Sequence, residues 1–440
     1  MNIDEQMVDT KNDDVSDVDI LENDDVPSFD EELRTFISLI SSLSSTLQLA
    51  MNAVQDAFEK TIGVLKDFEK DNIIFKEING KKAMLVKAEC FQQFQDLNKQ
   101  LRAYSLAFKT IPRSYVMALI SQYDAFLGKL LRVIFLTKPE ILNASERSLT
   151  FSQLVEFSSV DDAKEFILEK EIEGVLRKSH TDQFQWMESK FDMPLRKGLD
   201  NWSNFVEITE RRNLFVHTGG IISSQYLKVC SENKVNLGKK SNGDELNVSN
   251  EYFEKAYSVI FEIGFKLTQV FWRKFISNEL IEADRSLILI GFDTLHEENY
   301  PLTKMIFNFA TQTIKKYSCD ENRRIMIVNR ALAFKWSGDD KKAKDIVTKE
   351  DWSATRARFR LAEAILLDNF DDAYTIMREI GKNNEEVTKK DYLDWPLFRA
   401  IKKEKKFPEI FQEIFGEPYN KVEQKDTVEV YHCPQHLLTV

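Results

Sequence analysis

The feature that most restricts the fold is a run beginning after Pro27, in which Phe36, Ile37, Ile40, Leu43, Leu47 and Met51 recur at helical spacing and the pattern continues to about Phe68. An apolar residue at every third or fourth position draws one stripe along a helix, and that stripe needs a second helix to cover it. Asp30-Glu31-Glu32 at its start suits the positive end of the helix dipole. The rest of the chain has the same texture: 32 phenylalanines stand against 14 glycines and 9 prolines, a balance that favours long packed helices over a turn-rich β architecture. The fold class expected is therefore mainly α, with one local exception. Ile73-Ile74-Phe75-Lys76-Glu77-Ile78 and the stretch Lys81 to Lys87 flank Asn79-Gly80, the strongest short hairpin signal, so a small two-stranded element is predicted there. A further helix, Phe91 to Phe108, then leads to Pro112.

At 440 residues the chain can hold two or three domains with their own cores. With 43% hydrophobic and 30% charged residues it reads as soluble and globular. No apolar run of membrane-spanning length and no signal peptide is found, so no membrane association is expected and the default location is the cytoplasm. Cys90, Cys230, Cys319 and Cys433 are scattered and suit a reducing compartment. A formal charge of −12 argues against a broad basic surface that coats nucleic acid, although a local cationic cleft would still accept RNA. Much of the acidity lies in residues 1–26, read as a disordered acidic tail that solubilises the chain rather than covering a basic cleft.

The most informative stretch for chemistry is Glu210-Arg211-Arg212-Asn213-Leu214-Phe215-Val216-His217. On an ideal helix Glu210, Asn213 and His217 share one narrow stripe, while Trp202, Phe205, Ile208, Phe215 and Val216 spread over an adjoining apolar arc. Arg212 points into that arc and Arg211 to the solvent side. A guanidinium cannot be neutralised at ordinary pH, so a core-facing arginine needs an anionic neighbour or ligand. The segment Trp202 to His217 contains no Gly or Pro and stops at Thr218-Gly219-Gly220, where glycine can take the left-handed conformation that ends helices.

Arg212-Asn213-x3-His217 near the end of a long helix resembles the R-x4–6-H motif of the HEPN superfamily, all-helical domains of which many are metal-independent ribonucleases. The resemblance covers roughly residues 111 to 277, and only the motif is specific within it. It implies a helical bundle, with candidate helices at Arg113 to Leu136, Asp161 to Lys178, Trp202 to His217 and Tyr252 to Ile276, and a polar insert whose tip is Ser241-Asn242-Gly243-Asp244. It also implies His217 as the proton-transfer residue, Arg212 as the cationic clamp on the phosphate and Asn213 as a hydrogen-bond orienter. Glu210 would set the imidazole's tautomer or bind Arg212. A metal-independent endoribonuclease acting on RNA follows, as a regulated toxin or a phage-defence effector. Gly219 stands where the HEPN toxins controlled by nucleotidyltransferase antitoxins carry a tyrosine, which counts against that mode of control. Residues five apart on a helix differ by about 140° in direction, so Arg212 and His217 are expected to meet across a homodimer that builds a composite site. The alternative reading is a non-catalytic interaction or sensor protein, in which Arg212 closes a core ion pair and His217 merely caps its helix.

Beyond residue 278 the texture changes to paired helices. Trp336-Ser337-Gly338-Asp339-Asp340-Lys341-Lys342-Ala343 recurs as Leu366-Leu367-Asp368-Asn369-Phe370-Asp371-Asp372-Ala373, which looks like the turn of tetratricopeptide-like repeats, with Ala331, Ala333, Ala362 and Ala364 at the close helix contact. A short α-solenoid is expected over 278–420, binding a protein or peptide partner, with Trp395-Pro396-Leu397-Phe398 closing the run. The remaining divisions are an N-terminal helical module with the β-hairpin at 27–110, the HEPN-like bundle at 111–277 and a tail at 421–440. In that tail His432-Cys433-Pro434-Gln435-His436 has the look of metal ligands, but no second Cys/His pair is near and no metal is expected. His180 follows Arg177-Lys178-Ser179 at an expected helix end and His296 sits among acidic residues; neither has a partner pattern for nucleophilic catalysis. No G-x4-G-K loop is present and no cofactor is expected.

Overall fold

The computed structural model describes residues 27–78, 81–143, 148–384 and 386–419. It is mainly helical, and the described residues form a single two-stranded sheet. Helix α1 (Phe29–Asn72) starts at Ser28, whose hydroxyl accepts from the Glu31 amide, and leads into β1 (Ile73–Ile78), which pairs antiparallel with β2 (Lys81–Val86) from Ile73 opposite Val86 to Ile78 opposite Lys81. The Asn79-Gly80 turn lies outside the described residues, as do the acidic tail of residues 1–26 and the His432, Cys433 and His436 cluster.

Helix α2 (Phe91–Thr137) does not end near Phe108. It runs unbroken through Pro112, so the division placed at 110 falls inside one helix of 47 residues, about 70 Å long at 1.5 Å per residue. The missing Pro112 amide is tolerated because α2 packs along α1 on one side of the proline and enters the main core on the other. The outer halves of α1 and α2 form an arm with its own small core of Phe68, Ile73 and Leu97, and the hairpin at its end exposes Ile74, Phe75, Met84 and Leu85. Contrary to the sequence reading, α1 does contain one stretch long and apolar enough, by composition, to cross a bilayer. Here that helix buries Phe36, Ile40 and Leu47 against neighbouring helices.

Two short helices, α3 (Pro139–Asn143) and α4 (Phe151–Leu154), precede α5 (Val160–Leu176), α6 (His180–Phe191), α7 (Trp202–His217), α8 (Ser224–Glu232) and α9 (Asn250–Phe275). The four helices expected from the motif's surroundings are all present, the first as the second half of α2. Helix α9 lies against α1, α2 and α7 and is buried along most of its length. Gly264 on α9 admits the Phe36 ring of α1: a Cβ there would stand 2.4 Å from it. The first part of α1 thus belongs to the same core as residues 116–326, not to a separate N-terminal module.

The remaining helices are α10 (Leu280–His296), α11 (Tyr300–Asn308), α12 (Asp320–Trp336), α13 (Asp340–Val347), α14 (Ala357–Leu366), α15 (Phe370–Ile380), α16 (Lys389–Asp394) and α17 (Phe407–Phe415). The two turns matched in sequence are alike in space. Gly338 (φ 90°) and Asp368 (φ 61°) take the left-handed conformation, and the amides of Asp339 and Asn369 donate to the carbonyls of Phe334 and Ala364 at 2.9 and 2.8 Å. A third copy, unseen in sequence, joins α10 to α11: Glu298 (φ 59°) is left-handed and the Asn299 amide donates to the Thr294 carbonyl at 2.9 Å. Ala331, Ala333, Ala362 and Ala364 are buried, and α12 packs on α10 and on α14. Leu397 and Phe398 are buried as well, but α17 follows them and packs on α15 to close the second core. Asp284 on α10, fully buried, joins the two regions: it accepts from Arg273 of α9 at 2.7 Å and from the Ser318 amide at 2.8 Å.

Candidate functional site

Helix α7 has the predicted bounds, but its arginines exchange roles. Arg211 is the buried one. Its Nε donates to Glu207 at 2.7 Å and an Nη to the Asn247 carbonyl at 3.1 Å, while the guanidinium lies 3.8 Å from the centre of the Tyr252 ring. The Tyr226 and Tyr252 hydroxyls donate to the same Glu207 carboxylate at 2.8 and 2.9 Å. This closed network pins α7 to α8 and α9. Arg212 is only partly buried, is hydrogen-bonded to the Asn213 side-chain oxygen at 3.1 Å, and has no carboxylate within ion-pair distance among the described residues. Ideal helix geometry puts the arginines on the wrong sides because α7 is enclosed on every face over Phe205–Thr209, whereas one turn later only Arg211, Leu214 and Phe215 stay covered. Val216, counted in the apolar arc, is 49% exposed. The open side of the last two turns therefore carries Glu210, Arg212, Asn213, Val216 and His217.

Four of these residues face a cavity of about 470 Å³. Glu210, Arg212, Asn213 and His217 all line it, together with Asp124 of α2, Arg177, Lys178, Ser179 and His180 from the junction of α5 and α6, and Ser223 and Tyr226 at the start of α8. Arg212 and His217 of one chain thus border the same space despite the angle between them, and no second copy is needed to bring them there. The cavity wall follows from local sequence. Gly219 and Gly220, both left-handed, end α7, and a Cβ on Gly220 would press within 3.2 Å of the Phe215 ring. Arg113 of α2 holds this end by donating to the Gly219 and Leu246 carbonyls, each at 2.9 Å. The Asn242-Gly243 turn folds back so that the Ile222 amide donates to the Asp244 carbonyl at 2.9 Å. Ser179 and Ser223 cap the first turns of α6 and α8, so two helix N-termini border the cavity and add partial positive charge.

His180 is the residue that sequence reasoning missed. It opens α6 rather than closing a helix, is 8% exposed, and its Nε2 lies 2.9 Å from Asp124 Oδ1. Asp124 is 56 positions away in sequence, beyond any local spacing rule. Glu210 is held above the ordinary carboxylate range by burial, against the opposing pull of His180 and a hydrogen bond from Asn213. Cys230, on α8 behind the cavity, is no candidate nucleophile: burial, and then the Glu207 charge, push its thiol up to about 12. His296 packs on the Phe292 ring, and burial, followed by the charge of Arg399, lowers its imidazole. Among the described residues no group of His, Cys, Asp and Glu side chains is arranged to hold a metal.

Compared with family models, curated proteins and solved structures, the chain matches none.

Proposed function

We propose that the chain is a metal-independent endoribonuclease of HEPN type whose site is the cavity along the last two turns of α7. The observation that carries the reading is the convergence of Arg212, His217, Asn213 and Glu210 on one polar cavity, with Arg212 free of any ion pair among the described residues. A half-buried guanidinium without a carboxylate asks for an anion, and the two helix N-termini ask for the same charge sign. The RNA phosphodiester would sit against Arg212. Its ribose 2′-oxygen attacks phosphorus after losing a proton, the bond to the 5′-oxygen breaks, and that oxygen gains a proton, leaving a 2′,3′-cyclic phosphate and a 5′-hydroxyl. Imidazole suits such transfers because it titrates near neutral pH. His217 supplies one of the two, Arg212 neutralises the phosphorane and Asn213 orients the clamp. Such a nuclease would serve as a regulated toxin or phage-defence effector.

The homodimer enters the proposal in altered form. Each chain holds its own Arg212 and His217, and a second copy would cover Val216 and Ile221, apolar and exposed beside the cavity. The helical hairpins are assigned to partner recognition, as a short α-solenoid. A second cavity of about 480 Å³ runs along α10, α12 and α14, floored by Ile288, Val328 and Phe359. Asn329 lines it, nearly fully buried and with no hydrogen-bond partner among the described residues. A carboxamide that can both donate and accept matches the backbone of an extended peptide with an apolar side chain.

The test is incubation of the purified protein with mixed RNA, with and without EDTA, beside His217→Ala. Cleavage by the wild type in both conditions and none by the variant is expected. RNA left intact by the wild type would favour the non-catalytic sensor reading, and equal cleavage by both would place the activity elsewhere.

A further inference from the structure

Transesterification moves two protons, and the motif supplies one imidazole. We propose that His180, held by Asp124, is the second catalytic residue: the general base that takes the 2′-hydroxyl proton, with His217 as the acid for the leaving oxygen. The inference rests on the ribonuclease reading of the same cavity and adds to it a division of labour within one chain.

The geometry gives the roles. Asp124 Oδ1 accepts from His180 Nε2–H at 2.9 Å, which leaves Nδ1 with the lone pair, and Nδ1 has no hydrogen-bond partner among the described residues. The ring is wedged between Tyr123 and Phe205, at centroid distances of 6.1 and 5.8 Å, so its orientation is fixed before substrate arrives. An imidazole whose proton is held on one nitrogen by a carboxylate is set to accept at the other, and the carboxylate stabilises the imidazolium that forms. Asp124 is the positioning residue of this pair. His217, on the exposed last turn of α7, has no such carboxylate among the described residues and stands at the solvent edge, where a proton can be supplied to a departing oxygen. The charged groups around His180 are Asp124 of α2, Arg177 and Lys178 at the end of α5, and Glu210 and Arg212 of α7.

The protons balance. The 2′-oxygen gives its proton to His180 Nδ1 and forms a bond to phosphorus. The bond from phosphorus to the 5′-oxygen breaks, the electron pair stays with that oxygen, and His217 protonates it. Solvent then removes a proton from His180 and returns one to His217.

The experiment compares His180→Gln and His217→Ala on RNA and on uridine 3′-(4-nitrophenyl phosphate), whose aryl oxide leaves without being protonated. Glutamine can still donate to Asp124 but cannot take a proton. His180→Gln is expected to lose about 100-fold or more in kcat on both substrates, and to lose the low-pH limb of the rate profile. His217→Ala is expected to lose as much on RNA and to recover to within about tenfold of wild type on the aryl ester. Should His180→Gln fail to fold, Asp124→Asn, at a partly exposed position, takes its place, with the same two-substrate loss expected from the wrong tautomer. Wild-type kcat in these variants, a change in KM alone, or recovery by His180→Gln on the aryl ester would overturn the assignment while leaving the ribonuclease reading in place. A wild type inert on both substrates would remove that reading, and this inference with it.

Discussion

Arg211 and Arg212 are neighbours in sequence with opposite roles, and replacing each by alanine separates the scaffold from the site. Arg211→Ala strands the Glu207 carboxylate, whose side chain is 11% exposed, with two tyrosine hydroxyls and no cation. Removing one partner of a buried ion pair costs about 3–5 kcal/mol, against a total of roughly 5–15 kcal/mol for a folded domain. Arg212→Ala breaks no ion pair and removes an Nε that is buried without a partner, so its cost should stay under about 1 kcal/mol. Cleavage is expected to invert that order: loss of the phosphate clamp lowers kcat by about 10²–10³-fold, while Arg211→Ala, assayed at a temperature where it remains folded, keeps most of its activity. Urea unfolding followed by far-UV circular dichroism gives the first quantity and RNA cleavage the second. Equal destabilisation by the two variants would refute the assignment of Arg211 to the core. Loss of cleavage in a fully stable Arg211→Ala protein would refute the assignment of Arg212 to the site.

Further outcomes follow from the same contacts. Burial holds the Glu210 carboxyl above its ordinary value of 4.5, so its contribution to stability is fully present below that value and is lost as pH rises through the raised one. Glu210→Gln should therefore match the wild-type Tm near about pH 4 and exceed it near about pH 8. Gly338 has φ 90° and empty space around a built Cβ, so Gly338→Ala should cost about 1–2 kcal/mol from backbone strain alone; an unchanged Tm would contradict the left-handed turn. Mixing inactive Arg212→Ala with inactive His217→Ala chains should restore no cleavage, because the proposed site draws Arg212 and His217 from one chain, whereas recovery would show a composite site. Light scattering at micromolar concentration should give a dimer, and Val216→Asp should give a monomer.

What could be read along the chain was the part governed by local rules. The bounds of α7 follow from an unbroken amphipathic run and a glycine pair, and the two strands from β-prone runs about Asn79-Gly80. The turns at Gly338 and Asp368 were legible because each precedes a helix with a small alanine, Ala343 or Ala373, whereas the turn at Glu298 was hidden because Thr303 stands at that position. The continuity of α2 through Pro112 was not legible, since a proline ends an isolated helix but not one clamped along both halves. The shared stripe of Glu210, Asn213 and His217 could be read from helical spacing, but which arginine faces inward depends on how far the surrounding helices extend past Thr209, and no periodicity carries that. His180 and Asp124 meet only because α2 passes the junction of α5 and α6, a contact the sequence keeps in two unrelated segments.

The most direct test of the account is the chemistry of the ends left on RNA cut in EDTA. Purified protein should produce fragments with 2′,3′-cyclic phosphates and 5′-hydroxyls at a rate that chelation does not change, and His217→Ala should produce none above background. Fragments with 5′-phosphates, or cleavage that stops on chelation, would contradict a metal-independent site built from Arg212 and His217.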